Sequence, residues 1–251
     1  MIIGVIPSFL KFKSPNDLIR LGKKNDGGYL VSKSDINQTN FLVSLGINDD
    51  WSFESNFTNL RDIPLLAYDA SVNFKFFVKI TILSLFNLKN FNNIFHGPYT
   101  IIKYLLFFRG DRKHIKKYVG INSPEKFISL KNVLNSVASN SIFLKVDIEG
   151  SEYRLLTTIL DHQERLTGLV IEFHDCDLNM EKIKFFIEHF KLRLVHLHAN
   201  NYAPIIPESG LPTVLEMTFS KFSQSNSYID LPHKLDTPND RVSEEIRITF
   251  D

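Results

Sequence analysis

Phe143 to Glu152, FLKVDIEGSE, is where the chemistry of this chain concentrates. Phe143, Leu144, Val146 and the aliphatic stem of Lys145 run into Asp147, Glu149 and Gly150, and a helical pattern follows at once. A buried strand that ends in carboxylates and a glycine is how an open α/β sheet builds a ligand crevice at the carboxyl ends of its strands. A carboxylate placed there can bind an ammonium group, orient a hydroxyl or ligate a divalent cation. The plain alternative is an ordinary strand with a solvated acidic turn, and the other strand ends decide between the two.

Those ends are polar as well. FLVSLG, from Phe41, finishes in Ser44, Leu45 and Gly46, followed by Ile47, Asn48, Asp49 and Asp50. PLLAYDA, from Pro64, finishes at Asp69. LTGLVIEFH delivers Glu172, His174 and Asp175, and LRLVHLHAN delivers His196, His198, Asn200 and Asn201. Five strand ends with polar groups on one rim predict a single cleft. Gly46 lets a ligand approach the backbone closely. Asp69, one helix-plus-strand unit later, can accept hydrogen bonds from both hydroxyls of a ribose. SLGIND lacks the G-x-G-x-x-G that receives a pyrophosphate at a helix N-terminus, so a nucleoside without phosphates is expected ahead of NAD or FAD.

Proton transfer in such a cleft falls to a histidine, whose ordinary pKa lies near neutrality. His174 and His198 are the candidates, and His174 is preferred because Glu172 and Asp175 adjoin it. For either ring, the alternative is a structural hydrogen bond at the sheet rim. His196, two residues before His198, shares its face. His96, His114, His162, His189 and His233 read as surface residues. The reading needs no metal. If a divalent cation binds, Asp147, Glu172 and His174 supply oxygen and nitrogen ligands suited to Mg²⁺ or Mn²⁺.

Strand and helix patterns must alternate to bring these ends together, and they do. After PLLAYDA come HIKKYVGI (an exposed strand), SPEKFISLKNVL (a helix opening at Ser123-Pro124-Glu125), SIFLKVD (strand), SEYRLLTTIL (helix), LTGLVIEFH (strand), MEKIKFFIEHF (helix) and LRLVHLHAN (strand). SFESNFTNL reads as a helix with Ser52 as its cap. TVLEMTF and the C-terminal EEIRITF are further strands, expected at an antiparallel edge. The pattern predicts a doubly wound, mostly parallel seven-stranded α/β sheet in one domain, residues 1–251. Between Asp69 and the next strand, residues 72–112 are rich in Phe and predict a helical insertion, one or two helices divided near Gly97-Pro98. A lid or an extra core layer is the first reading for it, an oligomer or membrane-surface contact the second.

The chain has 251 residues, 43% hydrophobic and 23% charged, with a formal net charge of +1. A balance so near zero argues against general nucleic-acid binding. Lone Cys176 cannot form an intrachain disulfide. No apolar run is long enough to span a membrane, and the N-terminal lysines follow the apolar stretch instead of preceding it, unlike a signal peptide. A cytoplasmic protein is expected.

The block FLKVDIEGSE resembles the K-hydrophobic-D-hydrophobic-E-G-x-E signature of FkbM-type S-adenosylmethionine-dependent methyltransferases. SLGINDDWSFE (Ser44 to Glu54) resembles the first cofactor motif of one branch of that family. NDGGYLV (Asn25 to Val31) and LVHLHANNY (Leu194 to Tyr202) are similar to that branch too. Two features differ: SLGINDD stands where the wider family has V-D-x-G-A-N-x-G, and the Phe-rich insertion lies outside the common core. The resemblance implies S-adenosylmethionine as cofactor, with Gly46 under the adenosine and Asp69 at the ribose. It also implies a cofactor pocket containing Ser44 and Asn48 and closed by Asp26, Gly27, Gly28 and Tyr29. Asp147 and Glu149 would lie where the sulfonium meets the acceptor, beside the catalytic candidates His174 and His198. The implied reaction is O-methylation of a sugar hydroxyl on a nucleotide-linked or surface-polysaccharide carbohydrate. N-, phosphoramidate- or lipid-directed methylation and a non-catalytic interaction domain are the alternatives, and the aromatic insertion admits a homodimer.

Overall fold

The computed structural model describes residues 2–72, 76–78, 96–121 and 125–251. The central sheet consists of β1 (Phe41–Leu45), β2 (Leu65–Tyr68), β3 (Arg112–Ile115), β4 (Ile142–Val146), β5 (Leu166–Phe173), β6 (Arg193–Ala199) and β7 (Leu215–Ser220). Across the sheet they lie in the order β6-β7-β5-β4-β1-β2-β3. The run from β5 to β3 is parallel throughout, and β7 is antiparallel to both β5 and β6. This is the doubly wound, mostly parallel α/β sheet that the alternation predicts.

The strands read as apolar runs because both faces are covered. The helices include α1 (Lys33–Gln38), α2 (Ser52–Leu60), α3 (His96–Phe107), α4 (Leu130–Ser136), α5 (Leu156–His162) and α6 (Cys176–His189). Val43, Leu45, Leu144, Val146, Ile171 and Phe173 pack with apolar residues of α4, α5 and α6. On the opposite face Leu42, Phe143 and Val170 meet Ile36 of α1, Phe53 and Phe57 of α2, and the hairpin Leu18–Leu21/Tyr29–Ser32. The Phe57 and Phe143 rings lie 4.9 Å apart and both are fully buried, each worth about 1.5–3 kcal/mol of burial. That contact seats α2 on the sheet.

Side chains alternate along a strand, so each step of two residues stays on one face. On the hairpin side those steps run from apolar to polar: Leu42 to Ser44, Phe143 to Lys145 to Asp147, and Val170 to Glu172. The same face is therefore core at the amino ends of its strands and a polar site at their carboxyl ends.

Several sequence expectations need correction. β7 lies inside the sheet, between β5 and β6, and not at an edge; the crossover through α6 leaves a one-strand gap that the returning chain fills. The C-terminal strand Ile246–Phe250 is outside this sheet and pairs in parallel with Ile2–Ile6. Helix α4 opens at Leu130 with Ser129 as its cap; Glu125 precedes it in a turn, and Ser123 and Pro124 lie outside the described residues. Ser52 is the first residue of α2 and not its cap, and Asp50 accepts from both its backbone N and its Oγ. Gly97 and Pro98 lie in the first turn of α3, where a proline gives up no needed donor; residues 79–95, on which the expected first helix of the insertion falls, lie outside the described residues. Arg112 already belongs to β3, so the insertion ends one residue earlier than expected. Phe77, Tyr104 and Phe108 of the insertion form an aromatic cluster with Trp51 and His114, while Tyr99, Ile102, Leu105 and Leu106 face outward.

Candidate active site

A cleft of about 1030 Å³ opens at the carboxyl ends of β1, β2, β4 and β5. Its floor begins with the turn after β1. Gly46 has φ +80°, and a Cβ on it would lie 1.7 Å from Asp147 O, so only glycine lets the β1 and β4 ends meet there. Asn48 continues the turn at φ +42°. Asp69, at the end of β2, braces it: Oδ2 accepts from Ile47 N (3.0 Å) and Asn48 N (2.8 Å), and Oδ1 from Ser71 N (2.7 Å) and Ser71 Oγ (2.6 Å). Burial raises the Asp69 pKa, but these donors outweigh it and hold the carboxyl below its ordinary range.

Lys145, in the interior of β4, joins the turn to the acidic strand end. Its Nζ donates to Gly46 O at 2.7 Å and lies 3.8 Å from Glu54 Oε1 and 3.7 Å from Asp147 Oδ2. Burial disfavours its charge, yet Glu54, Asp147 and Glu172 together push its pKa upward. Asp147 also accepts from Tyr29 Oη at 2.9 Å.

Past β5 the chain turns through His174. Its Nδ1 is 3.1 Å from Glu152 Oε1, and its Nε2 is 3.5 Å from Glu149 and 4.0 Å from Glu172. Burial lowers the ring's pKa, but the Glu152 hydrogen bond and charge, ahead of the Glu172 and Glu149 carboxyls, lift it to about 9. At neutral pH His174 is therefore an imidazolium among carboxylates. Asp147, Glu149 and His174 each bring one ligand-type atom within 4.8 Å of the others, and the charge on His174 already answers the two acids.

Of the residues singled out in the sequence, the structure brings Asp26, Gly27, Gly46, Asn48, Asp69, Asp147, Glu149, Glu172 and His174 to this one cleft. Four others lie behind its wall. Tyr29 is buried beneath Asp147 and Glu172. Gly28 is packed in the turn against Lys23 O. Ser44 is fully buried and donates to Glu54. His198 departs from its expected catalytic place: it does not line the cleft, its side chain is 1% exposed, and it is held between Glu216 (3.3 Å) and Glu245 (3.2 Å). Those carboxylates raise its pKa to about 10 against the opposing effect of burial. His196, on the same face, pairs with Asp236 at 3.1 Å.

Sequence reasoning missed Glu54, Glu152 and the cleft-forming role of Lys145. Lys145 falls between Phe143 and Asp147 at a spacing of two, which marks it as inward-facing. Glu54 and Glu152 are fully buried behind the cleft, and only the tertiary fold sets Glu54 against Lys145 and Glu152 against His174. Tyr118, Val119 and Phe127 give one end of the cleft an apolar wall, while Arg154, Asn200 and Tyr202 line it beside His174.

The sequence matches no family profile and no curated protein. Among solved structures, the plantazolicin methyltransferase BamL, in complex with a triazolic desmethylPZN analog and SAH, is 9% identical, with a TM-score of 0.39 over 75% of this chain and 81% of that one. Precorrin-6y C5,15-methyltransferase from Geobacter metallireducens is 12% identical, with a TM-score of 0.37 over 74% and 86%. The N-terminal domain of human METTL16 in complex with SAH is 12% identical, with a TM-score of 0.38 over 75% and 64%.

Proposed function

We propose that this chain is an S-adenosylmethionine-dependent methyltransferase that methylates a hydroxyl of a carbohydrate acceptor, nucleotide-linked or from a surface polysaccharide. The observation that carries the reading is the cleft itself: a glycine turn after β1, an acidic residue ending β2 and carboxylates ending β4 meet in one crevice of a doubly wound, mostly parallel seven-stranded sheet. Its donor set fits the cofactor. The wall of Tyr118, Val119 and Phe127 suits a flat base, Gly46 and Asn48 present backbone, and Asp26, Asp147 and Glu149 suit an ammonium and a sulfonium. The volume also suits a ligand of nucleoside size plus an acceptor. The sugar acceptor rests on the resemblance of FLKVDIEGSE and SLGINDDWSFE to the FkbM-type family.

When bound, S-adenosylmethionine supplies an electrophilic methyl group on a positively charged sulfur. The protein's share is alignment and charge. Lys145 fixes the Gly46 turn to Asp147, and Asp69 fixes the same turn from the other side. Alignment of this kind accounts for much of the rate of an in-line displacement. The acceptor hydroxyl must also lose its proton. His174 is the base in this reading, with Nδ1 held by Glu152 so that Nε2 faces the cleft. It takes that proton once it has released its own, which ties the rate to pH. Among the described residues no helix is long and apolar enough to cross a membrane.

Calorimetric titration with S-adenosylhomocysteine tests the reading. Micromolar binding that weakens at least about tenfold in Asp69→Ala is expected, since that variant removes the brace of the turn. A folded chain that binds no S-adenosylhomocysteine overturns it. Screening nucleotide sugars with radiolabelled cofactor then tests the acceptor class.

A further inference from the structure

Tyr29 Oη lies 2.9 Å from Asp147 Oδ2 and 3.1 Å from Glu172 Oε2. A phenol carries one hydrogen, and two ionised carboxylates carry none. Both contacts are full two-centre hydrogen bonds, without one hydrogen shared between two anions, when one carboxyl brings a proton of its own. We infer that Glu172 is this acid: an uncharged carboxylic acid at neutral pH that donates to Tyr29, whose hydroxyl donates in turn to Asp147. Glu172 and Tyr29 are then positioning residues for the Asp147 carboxylate.

The neighbours fix which oxygen and which residue hold the proton. Tyr202 N donates to Asn200 Oδ1, so the Asn200 amide must turn its Nδ2 toward Glu172 Oε1, at 2.8 Å. Oε1 is therefore an acceptor, and Oε2, facing Tyr29, is free to hold the proton. Asp147 is the poorer carrier. Lys145 Nζ stands 3.7 Å from the same Oδ2 that Tyr29 contacts, and the Asp147 side chain is 23% exposed against 5% for Glu172. Glu172 is also opposed in register by Glu216 of β7. Burial, then Asp147 and Glu216, drive its pKa well above the ordinary range, against the pull of His174 and Asn200. Tyr29, fully buried beside the same acids, keeps its hydrogen because its pKa is likewise driven up.

A charged Glu172 would add a third anion to a face where Lys145 already answers Asp147 and His198 already answers Glu216. A neutral one completes a one-way chain of donors that ends on the Asp147 carboxylate, which lines the cleft. The role of Asp147 toward a cofactor rests on the methyltransferase reading; the proton on Glu172 does not.

Infrared difference spectroscopy on the full chain at neutral pH, wild type minus Glu172→Gln, reads the proton directly. A carboxylic C=O band present in the wild type and lost in Glu172→Gln is expected, and Tyr29→Phe shifts that band by removing its acceptor. No such band, or a band that Tyr29→Phe leaves in place, overturns the inference. The glutamine amide reproduces the donor to Tyr29 and the acceptor for Asn200, so Glu172→Gln folds; a failure to fold counts against a neutral Glu172. S-Adenosylhomocysteine affinity should stay within about twofold in Glu172→Gln and fall about tenfold or more in Glu172→Leu and Tyr29→Phe, the worth of one hydrogen bond to a charged group. Affinity unchanged in all three overturns the positioning role. If the wild type binds none, the methyltransferase reading fails and the infrared result still decides the proton.

Discussion

Lys145 Nζ donates a 2.7 Å hydrogen bond to Gly46 O, so the side chain of one buried strand holds the backbone turn that ends its neighbour. The same ammonium is the nearby cation for Glu54, whose side chain is fully buried, and for Asp147. Lys145→Met keeps the aliphatic stem and deletes the charge. It should destabilise the fold by about 3–5 kcal/mol, because it leaves a buried carboxylate uncompensated. In urea unfolding, pairing it with Glu54→Leu should cost less than the two single losses added. Additive losses would refute the coupling.

Gly46→Ala tests the close approach of β1 and β4 itself. The new Cβ would meet Asp147 O at 1.7 Å from a backbone at φ +80°. The left-handed conformation alone costs an alanine about 1–3 kcal/mol, and the clash with backbone adds to that. Expected are a lower unfolding midpoint and loss of S-adenosylhomocysteine binding in whatever folds. Wild-type affinity in Gly46→Ala would show that the turn does not shape the cleft.

The sheet was legible because its strands are buried on both faces and end in polar residues, a pattern that LTGLVIEF and IFLKV carry within a few letters. The position of β7 was not, since TVLEMTF looks the same at an edge or between two strands, and only the gap left by the α6 crossover decides. Nine candidate site residues reached the cleft because strand ends on one rim converge whatever their sequence distance. His198 did not, although its chemistry and its place in β6 match those of a rim residue. Its fate was set by Glu216 and Glu245, 18 and 47 residues away, which no local spacing announces. The NDGGY turn was read as closing the pocket, but the hairpin strands on either side of it were not, and the burial of Tyr29 comes from its place beside Asp147 and Glu172, far away in sequence.

His174 gives the reaction a pH signature. Its pKa is lifted to about 9, so the fraction able to accept a proton grows as pH rises toward that value. The kcat/KM profile should climb from neutrality and level off above about 9. Glu152→Gln removes the hydrogen-bonded charge on Nδ1 and should move the limb to lower pH, while His174→Ala removes the limb along with most of the turnover. A flat profile between pH 7 and 9, or full turnover in His174→Ala, would exclude His174 as the base.

His198 makes the complementary statement about stability. Its folded pKa, lifted from 6.5 to about 10 by Glu216 and Glu245, lies above that of the unfolded chain. A group raised in this way contributes stability in full below its unfolded pKa and loses it as pH rises through its folded pKa. The unfolding midpoint should therefore decline from about pH 6.5 and reach its floor past about pH 10. His174 shares the sign, with its own decline ending near pH 9. His198→Gln retains hydrogen bonding but no cation, leaving Glu216 and Glu245 facing each other's charge. It should be less stable than wild type at pH 6, by an amount that shrinks as pH approaches 10. Thermal unfolding of both proteins across that range provides the measurement. A gap that stays constant with pH would mean that His198 is neutral in the fold and that its two carboxylates are paired elsewhere.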